Sequence, residues 1–161
     1  MKSKIDISKK RSEILFMQRA LAWAKKGRNK NEVPVGAIIV KAGKVIAGGH
    51  NTRTALKDPM GHAEIMAIKK AYKKLGDFRL SGCDMFVTVE PCILCLGAIL
   101  QSRISRLVYG CRNFNEGAVS LLPAVGKKLK MNYKLTVKGG VLEDEGKALI
   151  QTFFKTLRNS R

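Results

Sequence analysis

Apolar and polar positions along the chain alternate with the two periods of regular secondary structure. One helical face near the start is marked by apolar residues three or four apart, Ile14, Met17, Leu21 and Ala24. Gly27 fits the end of that helix. Residues 35–41 and 44–50 have strand patterns, and Ala42-Gly43 between them is a turn signal. This segment therefore predicts a β-hairpin.

The rest of the chain predicts alternating strands and helices without internal repeats. Strands are expected at 84–89, 106–109 and 135–141, and helices at 62–75, 92–103 and 143–158. Residues 51–61 and 111–130 are expected to be loop or irregular. The first ten residues are polar and basic, and we expect them to be disordered. The pattern predicts one α/β domain over residues 11–161, with about five strands in a central sheet.

Three residues with good zinc-binding side chains occur in two short motifs. His62 supplies an imidazole, and Cys92 and Cys95 supply two thiols. Cysteines three apart on a helix share a face, and Pro91 suits the first turn of that helix. Thiols at a helix N-terminus are favoured as thiolates, the form that binds metal. Three protein ligands leave a fourth position open for water, which indicates a catalytic zinc site.

Glu64 is expected to carry protons beside this metal. In mid-helix, residues two apart point in nearly opposite directions, whereas in an extended stretch they point the same way. We therefore place His62 at the start of its helix, so that Glu64 leans into the cavity. A carboxylate there can take a proton from water and return it to a substrate.

Alternative interpretations of the cysteines remain open. A closed structural zinc site would need a fourth ligand from Cys83, Cys111 or His50. A redox pair at Cys92 and Cys95 would leave the nearby His-Ala-Glu motif unexplained. We expect Cys83 and Cys111 to be small buried hydrophobic residues and His50 to be structural.

His-x-Glu followed by Pro-Cys-x-x-Cys is the signature of zinc-dependent nucleobase deaminases. The chain resembles the bacterial tRNA-specific adenosine deaminases over about residues 11–158. The similar segments, in order and spacing, are Glu32-Val33-Pro34-Val35-Gly36-Ala37, Asn51, Asp58-Pro59, His62-Ala63-Glu64-Ile65-Met66-Ala67, Val87-Thr88-Val89-Glu90-Pro91-Cys92, Ser102-Arg103-Ile104 and Phe153-Phe154-Lys155.

The resemblance implies a three-layer α/β/α fold, one zinc ion per subunit and a homodimer. It also implies hydrolysis of adenosine to inosine at the wobble position of a tRNA anticodon, by zinc-activated water with Glu64 as the proton shuttle. By motif match, the metal ligands are His62, Cys92 and Cys95. The implied substrate contacts, with the base pocket and the anticodon stem-loop, are Val35, Asn51, Ala63, Phe154 and Lys155.

The chain departs from the family in the segment after residue 110. Many members have an acidic residue where this chain has Asn113, and Lys or Arg is frequent where Asn115 stands. These differences concern RNA contacts and leave the chemistry untouched. An acidic side chain near the RNA backbone would repel phosphate and could recognise a ribose 2′-OH. The neutral Asn113 predicts weaker discrimination between RNA and DNA hairpins.

The formal charge of +19 changes the expected substrate class. An enzyme for free bases needs no such field, whereas a polyanion-binding enzyme does. The Lys clusters could also reflect a Lys-rich composition that only solvates the surface. No apolar run approaches the length needed to span a membrane, and the four cysteines fit metal binding in a reducing cytoplasm.

Helix 92–103 is apolar around most of its circumference, so it should be buried on all sides. We expect it to pack on the sheet and against a second subunit, unless the C-terminal helix covers it.

Two other functions remain open besides tRNA deamination. One is a zinc deaminase of a free nucleobase or nucleoside such as guanine or cytosine, and the other is an RNA-binding domain with a structural zinc.

Overall fold

A computed structural model describes the backbone of residues 2–160 and the side chains of residues 7–160. The strands are β1 (Gly36–Lys41), β2 (Lys44–His50), β3 (Cys83–Val89), β4 (Arg106–Cys111) and β5 (Thr136–Lys138). They form one sheet in the order β2-β1-β3-β4-β5. β1 is antiparallel to β2 and β3, and β4 is parallel to β3 and β5. The predicted mixed sheet of five strands is confirmed.

Helices cover both faces of this sheet. They are α1 (Lys2–Arg28), α2 (Arg53–Leu56), α3 (Ala63–Leu75), α4 (Ile93–Gln101), α5 (Leu122–Leu129) and α6 (Glu143–Asn159). α1 and α6 pack on one face and against each other, and α3 packs on the other face beside α4. This arrangement confirms the three-layer α/β/α architecture.

Alternate strand residues separate into two buried cores. The core under α3 and α4 contains Ala37, Ile39, Met85, Val87 and Leu107. The core under α1 contains the intervening positions Ile38, Val40, Phe86 and Val108. Since successive strand side chains point to opposite faces, strands buried on both sides must be apolar throughout. The continuous apolar runs in β1, β3 and β4 follow from this requirement.

The hairpin between β1 and β2 turns where the sequence indicated. Ala42 and Gly43 have φ angles of 48° and 73°. Positive φ at both central residues is the requirement of a type I′ turn, whose twist matches that of the strands. The predicted turn at Ala42-Gly43 is therefore confirmed.

Three local predictions need correction. The segment 111–130 is not irregular throughout, because it contains a 3₁₀ turn at Val119–Leu121 and then α5. Pro123 in the first turn of α5 and Gly126 inside it concealed the helix, although Pro is tolerated at that position. Residues 51–61 are not all loop, because they include the short α2, whose N–H groups donate to the carboxylate of Glu32. The last strand, β5, is shorter than 135–141, because the chain turns away at Gly140, whose φ is 82°.

The two ends of the chain pack differently from expectation. α1 begins at Lys2, so its backbone includes the polar stretch that the sequence assigned to no element. Disorder of residues 1–10 stays a prediction, and the side chains of residues 1–6 lie outside the described part. α6 packs against α1, β3 and β4 on the face opposite α4, so the alternative that it covers α4 is wrong.

Among residues 2–160, no helix has both the length and the hydrophobicity of a membrane span.

Candidate active site

Two helix N-termini converge at the motif residues. His62 is the residue before α3, with extended φ and ψ of −79° and 149°, and its carbonyl accepts from the N–H of Met66. Cys92 holds the same position before α4, with φ and ψ of −73° and 174°. The prediction that His62 starts its helix is confirmed. The predicted helix 92–103 is shorter, since α4 itself covers Ile93–Gln101.

The side chains of His62, Cys92 and Cys95 lie in the geometry of a zinc site. Their ligand atoms all lie within 4.8 Å of one another. His62 Nδ1 is 3.7 Å from Cys92 Sγ and 3.4 Å from Cys95 Sγ. Tetrahedral zinc with bonds of about 2.3 Å to sulfur and about 2.0 Å to nitrogen separates these atoms by about 3.5 Å. The three residues therefore fit one zinc ion, and the donor set of one imidazole and two thiols suits zinc.

The two thiols are electrostatically inequivalent. A hydrogen bond from Cys95 lowers the pKa of Cys92 to about 5, against the opposing effect of burial. The same hydrogen bond, together with burial, raises the pKa of Cys95. Cys92 also stands at the N-terminus of α4, where the helix dipole favours the anion. Both effects make Cys92 the more acidic of the two thiols.

Glu64 lies beside the ligands in the first turn of α3 and is only 4% exposed. Burial raises the pKa of Glu64 to about 7, and the negative charge of Cys92 acts in the same direction. A hydrogen bond with its own backbone N–H and one with Cys95 act in the opposite direction. Its position supports a role in proton transfer, because a general acid–base must lie within hydrogen-bonding reach of the reacting groups.

One cavity of about 570 Å³ opens onto this cluster. The wall includes the metal-ligating residues His62 and Cys92, the carboxylate of Glu64, and further residues: Val35, Asn51, Arg53, Glu90, Asn113, Phe114, Lys147 and Phe154. A volume between about 300 and 1,000 Å³ is typical of small-molecule sites. The cavity is large enough for one purine nucleoside next to the metal ligands.

Asn51 and Ala63, both predicted as substrate contacts, are hydrogen-bonded to each other. The N–H of Ala63 donates to Asn51 Oδ1 at 2.9 Å, and both residues are buried. With its oxygen engaged, Asn51 has its NH₂ group left as a donor at the cavity wall. Val35 also lines the cavity. Their contacts with a substrate remain predictions.

The C-terminal motif divides between core and cavity. Phe153 is buried and packs edge-to-face on Phe154, with ring centroids 5.5 Å apart. Phe154 is 41% exposed and lines the cavity. Lys155 is exposed and lies outside the cavity wall. Its predicted role in holding RNA would thus be exercised outside the cavity.

The other cysteines and the second histidine lie where structural roles are expected. Cys83 and Cys111 are buried free thiols, and burial raises the pKa of both. His50 is buried, its Nδ1 lies 2.7 Å from the carbonyl oxygen of Asn51, and its ring packs near Trp23. Among residues 7–160, the metal-binding cluster consists of His62, Cys92 and Cys95 alone. A closed site with a fourth Cys or His ligand is therefore not supported.

Two carboxylates that sequence reasoning gave no role organise the cavity wall. Glu90 accepts hydrogen bonds from the N–H groups of Asn113 and Val119, both at 3.3 Å. Glu32 accepts from the N–H groups of Thr54 and Ala55 at 3.3 and 2.8 Å, and so holds α2 beside the cavity. These contacts join residues far apart in the chain, so local patterns do not reveal them.

The segment 113–117 forms a braced turn at the cavity rim. Asn113 Oδ1 accepts the N–H groups of Asn115 and Glu116, at 3.3 and 3.1 Å. Gly117 pairs with Cys92 in an isolated β-bridge, which connects the turn to the metal site. Phe114 projects from this turn and is 87% exposed. The only sequence signal for Phe114 was an aromatic residue within an otherwise polar loop.

Comparison with known proteins agrees with this geometry. The family described as the cytidine and deoxycytidylate deaminase zinc-binding region matches residues 10–111. A tRNA-specific adenosine deaminase of Aquifex aeolicus is 41% identical over 90% of this chain and 95% of its own length. That of Bacillus subtilis is 37% identical over 91% of each chain. A solved structure from a study of A-to-I editing by tRNA:A34 deaminases at the wobble position is 38% identical. It covers 83% of this chain and 97% of its own, with a TM-score of 0.78.

Fold and site together define a zinc-binding deaminase of the cytidine and deoxycytidylate deaminase class. Within that class, the chain belongs to the family of tRNA-specific adenosine deaminases. The family resemblance noted from the sequence motifs is thereby confirmed, and zinc is the cofactor that the ligand set fits.

Proposed function

We propose that the protein hydrolyses adenosine to inosine at the wobble position of a tRNA anticodon. The observation that carries the proposal is the cavity of about 570 Å³ that contains His62, Cys92 and the buried carboxyl of Glu64. Close relatives over about nine-tenths of the chain are tRNA-specific adenosine deaminases, which supports adenosine in tRNA as the substrate.

The reaction exchanges the exocyclic amine of adenine for an oxygen atom from water. His62, Cys92 and Cys95 would hold a zinc ion, which would supply an acidified water because bound zinc lowers the pKa of water to about 7. Glu64 accepts the proton of the water molecule that attacks C6 and delivers it to the purine. The remaining hydroxyl proton passes to the amine, the C6–N bond breaks and ammonia leaves, so that the base becomes hypoxanthine and the nucleoside becomes inosine. General acid–base catalysis of this kind contributes about 10²–10⁴-fold to a rate.

The remaining cavity residues hold the base. Val35 provides an apolar wall, and the Asn51 side chain, fixed by its bond to Ala63, offers its NH₂ group to the purine. Phe154 faces the cavity from α6 and supplies an aromatic contact, while Lys155 beside it is available for a phosphate outside the cavity. The anticodon stem-loop would then extend across the rim formed by these residues.

The charge of the surface suits a polyanionic substrate. The net charge of the chain is +19. Among residues 7–160, the basic residues that form ion pairs with carboxylates are Arg106 and Lys138. Lys26 and Lys70 both lie over the ring of Trp23, 4.8 and 4.7 Å from its centroid. Burial and the positive charges of Lys26 and Lys30 lower the pKa of Lys70. A bound phosphate would relieve this repulsion between lysines.

The exposed face of α4 supports a homodimer. Ile93 is 61% exposed, Leu94 and Leu100 are partly exposed, and Leu129 from α5 is 66% exposed beside them. A second subunit would cover this apolar surface. Sedimentation should give a dimer at micromolar concentration, and Ile93→Glu should shift it toward monomer. A wild-type protein that sediments only as monomer would contradict the dimer.

We also propose that this single domain acts in the cytoplasm, where its thiols stay reduced.

A Glu64→Ala variant tests the proposed chemistry. We expect it to retain zinc and anticodon stem-loop affinity while losing at least about 100-fold in turnover, because only proton transfer is removed. Glu116→Ala is the matched control, since Glu116 is an exposed acidic residue on the same cavity rim. A fully active Glu64→Ala variant would refute the proposed role of Glu64.

The same assay distinguishes tRNA deamination from the two alternative functions, deamination of a free nucleobase and RNA binding with a structural zinc. Deamination of free guanine or cytosine, with tRNA left unchanged, would identify a nucleobase deaminase. RNA binding without deamination of any substrate by the zinc-loaded wild-type protein would instead favour an RNA-binding domain with structural zinc. The geometry favours catalysis, because the three-ligand cluster opens into a cavity rather than being closed by a fourth Cys or His among the described residues.

A further inference from the structure

Phe114 stands out among the apolar side chains of the described residues. Its ring is 87% exposed, the highest exposure of any large hydrophobic side chain among residues 7–160. Burial of a Phe side chain stabilises a fold, so a ring left in water gives up that stabilisation. Single exposed apolar residues are common on protein surfaces. The position of Phe114 is what distinguishes it, because the ring lines the same cavity as His62 and Glu64.

The backbone that carries this ring is held on both sides. Asn113, the preceding residue, donates its N–H to Glu90 and accepts two N–H groups of the turn through its side chain. The N–H of Gly117 donates to the carbonyl of Asn113 at 2.9 Å, and Gly117 bridges to Cys92. Phe114 therefore projects from a turn whose position is fixed relative to the metal ligands. Little backbone entropy would be lost when the ring binds a partner.

A second aromatic ring faces the cavity from another element. Phe154 of α6 is 41% exposed and also lines the cavity wall. The cavity of about 570 Å³ accommodates one nucleoside, so the nucleotides on either side of the reactive adenosine must remain at the rim. A base that enters such a pocket loses its stacking with those neighbours. An aromatic ring at the rim can replace the lost stacking partner.

We propose that Phe114 stacks on the unpaired nucleobase that flanks the reactive adenosine. The inference rests on the proposed function, and it identifies a substrate-contacting residue outside the deaminase motifs. Every base offers a flat aromatic face, so this contact adds affinity with little sequence preference. It acts on the bound strand of RNA and not on the chemistry at the metal.

The first test measures binding of a tRNA anticodon stem-loop RNA by fluorescence anisotropy, with all variants in a Glu64→Ala background to prevent turnover. Stacking on an aromatic side chain is worth about 1–3 kcal/mol per base, so Phe114→Ala should raise Kd by about 5- to 150-fold. Phe114→Trp should bind at least as well as the parent protein with Phe114, whereas Phe114→Leu should bind like Phe114→Ala. Equal binding by the parent protein and Phe114→Leu would refute stacking.

Phe78 provides a matched control. It is 62% exposed, lies outside the cavity wall and has the Arg79 guanidinium 4.8 Å from its ring centroid. Phe78→Ala removes an exposed aromatic ring of the same size, so it should leave Kd unchanged. An equal loss in Phe78→Ala and Phe114→Ala would indicate a general effect of surface hydrophobicity and would overturn the proposal.

A second test locates the stacked base. The stem-loop is prepared with an abasic site on the 5′ side or on the 3′ side of the target adenosine. At one of these two positions, removal of the base should abolish the difference in Kd between the parent protein and Phe114→Ala, since the stacking partner is already missing. An undiminished difference with both abasic RNAs would show that Phe114 contacts no flanking base.

The outcomes distinguish this inference from the proposed function. Coupling between Phe114 and a flanking base, in a wild-type protein that deaminates no adenosine, would uphold stacking and refute tRNA deamination. Wobble deamination without such coupling would refute stacking alone. A wild-type protein that does not bind the RNA would refute both.

Discussion

Replacing Glu90 with alanine would release the cavity wall without touching the metal ligands. Glu90 directly precedes Pro91-Cys92, and its two carboxylate oxygens accept the N–H groups of Asn113 and Val119. It thus ties the segment after β4 to the strand that delivers the cysteines. We expect Glu90 to act as a positioning residue for this wall and for Phe114 on it.

The size of the effect follows from the two hydrogen bonds. Bonds to a charged acceptor contribute about 1.5–3 kcal/mol each, and lengths of 3.3 Å place both at the weak end. Together they amount to about 3 kcal/mol, or about 150-fold in the population of the ordered wall. The backbone bond from Ala118 to Pro91 and the bridge at Cys92 persist and retain part of that order. We therefore expect kcat/KM to fall by about 10- to 100-fold.

The assay is deamination of a tRNA anticodon stem-loop RNA, with zinc content measured on the same samples. Glu90→Ala should keep its zinc and lose activity, and Glu90→Gln should be intermediate, because its amide oxygen can still accept one N–H. Glu116→Gln is the control for charge, since the Glu116 side chain lies on the same rim. Normal activity in Glu90→Ala, or an equal loss in Glu116→Gln, would refute the positioning role.

Two further predictions concern stability and substrate discrimination. Burial raises the pKa of Glu13, but hydrogen bonds from Lys138 and Arg106 outweigh burial and lower that pKa overall. The stabilisation by ionised Glu13 is therefore present above about pH 4.5 and is lost in more acidic solution. Glu13→Ala should lower the free energy of unfolding in urea by about 2 kcal/mol near neutral pH, less than the about 3–5 kcal/mol for a fully buried pair because Lys138 is half-exposed. The difference should shrink in acid, and a constant difference would contradict it. Separately, Asn113→Asp should increase discrimination between RNA and DNA versions of one hairpin, measured by Kd. Equal discrimination in both proteins would refute that idea.

Local patterns predicted the parts of the structure that depend on near neighbours in sequence. The two-residue spacing of His62 and Glu64 predicted that His62 precedes its helix, and the structure confirms this. The positive-φ turn at Ala42-Gly43 and the five strands were equally local signals. The three-layer arrangement, with helices on both faces of the sheet, was implied by the family resemblance and not by a local pattern. The metal site followed because its ligand types and their spacing are themselves chemical constraints.

The parts that escaped prediction depend on contacts between distant segments. α5 was missed because Gly126 and Pro123 weaken the helical pattern locally, while its apolar residues Val125 and Leu129 line a groove shared with α4. Glu90 and Glu32 act by accepting backbone N–H groups more than twenty residues away. The proposed role of Phe114 depends on the fold, which brings its turn to the cavity rim. Such roles are properties of the folded chain.

Sequencing of total tRNA after incubation with the zinc-loaded protein tests the central claim most directly. Inosine is read as guanosine, so wobble deamination appears as A-to-G changes at the first anticodon position. We expect such changes with the wild-type protein and none with Glu64→Ala. Unchanged wobble adenosines in all tRNAs with the wild-type protein would contradict the account, whatever other substrate it deaminates.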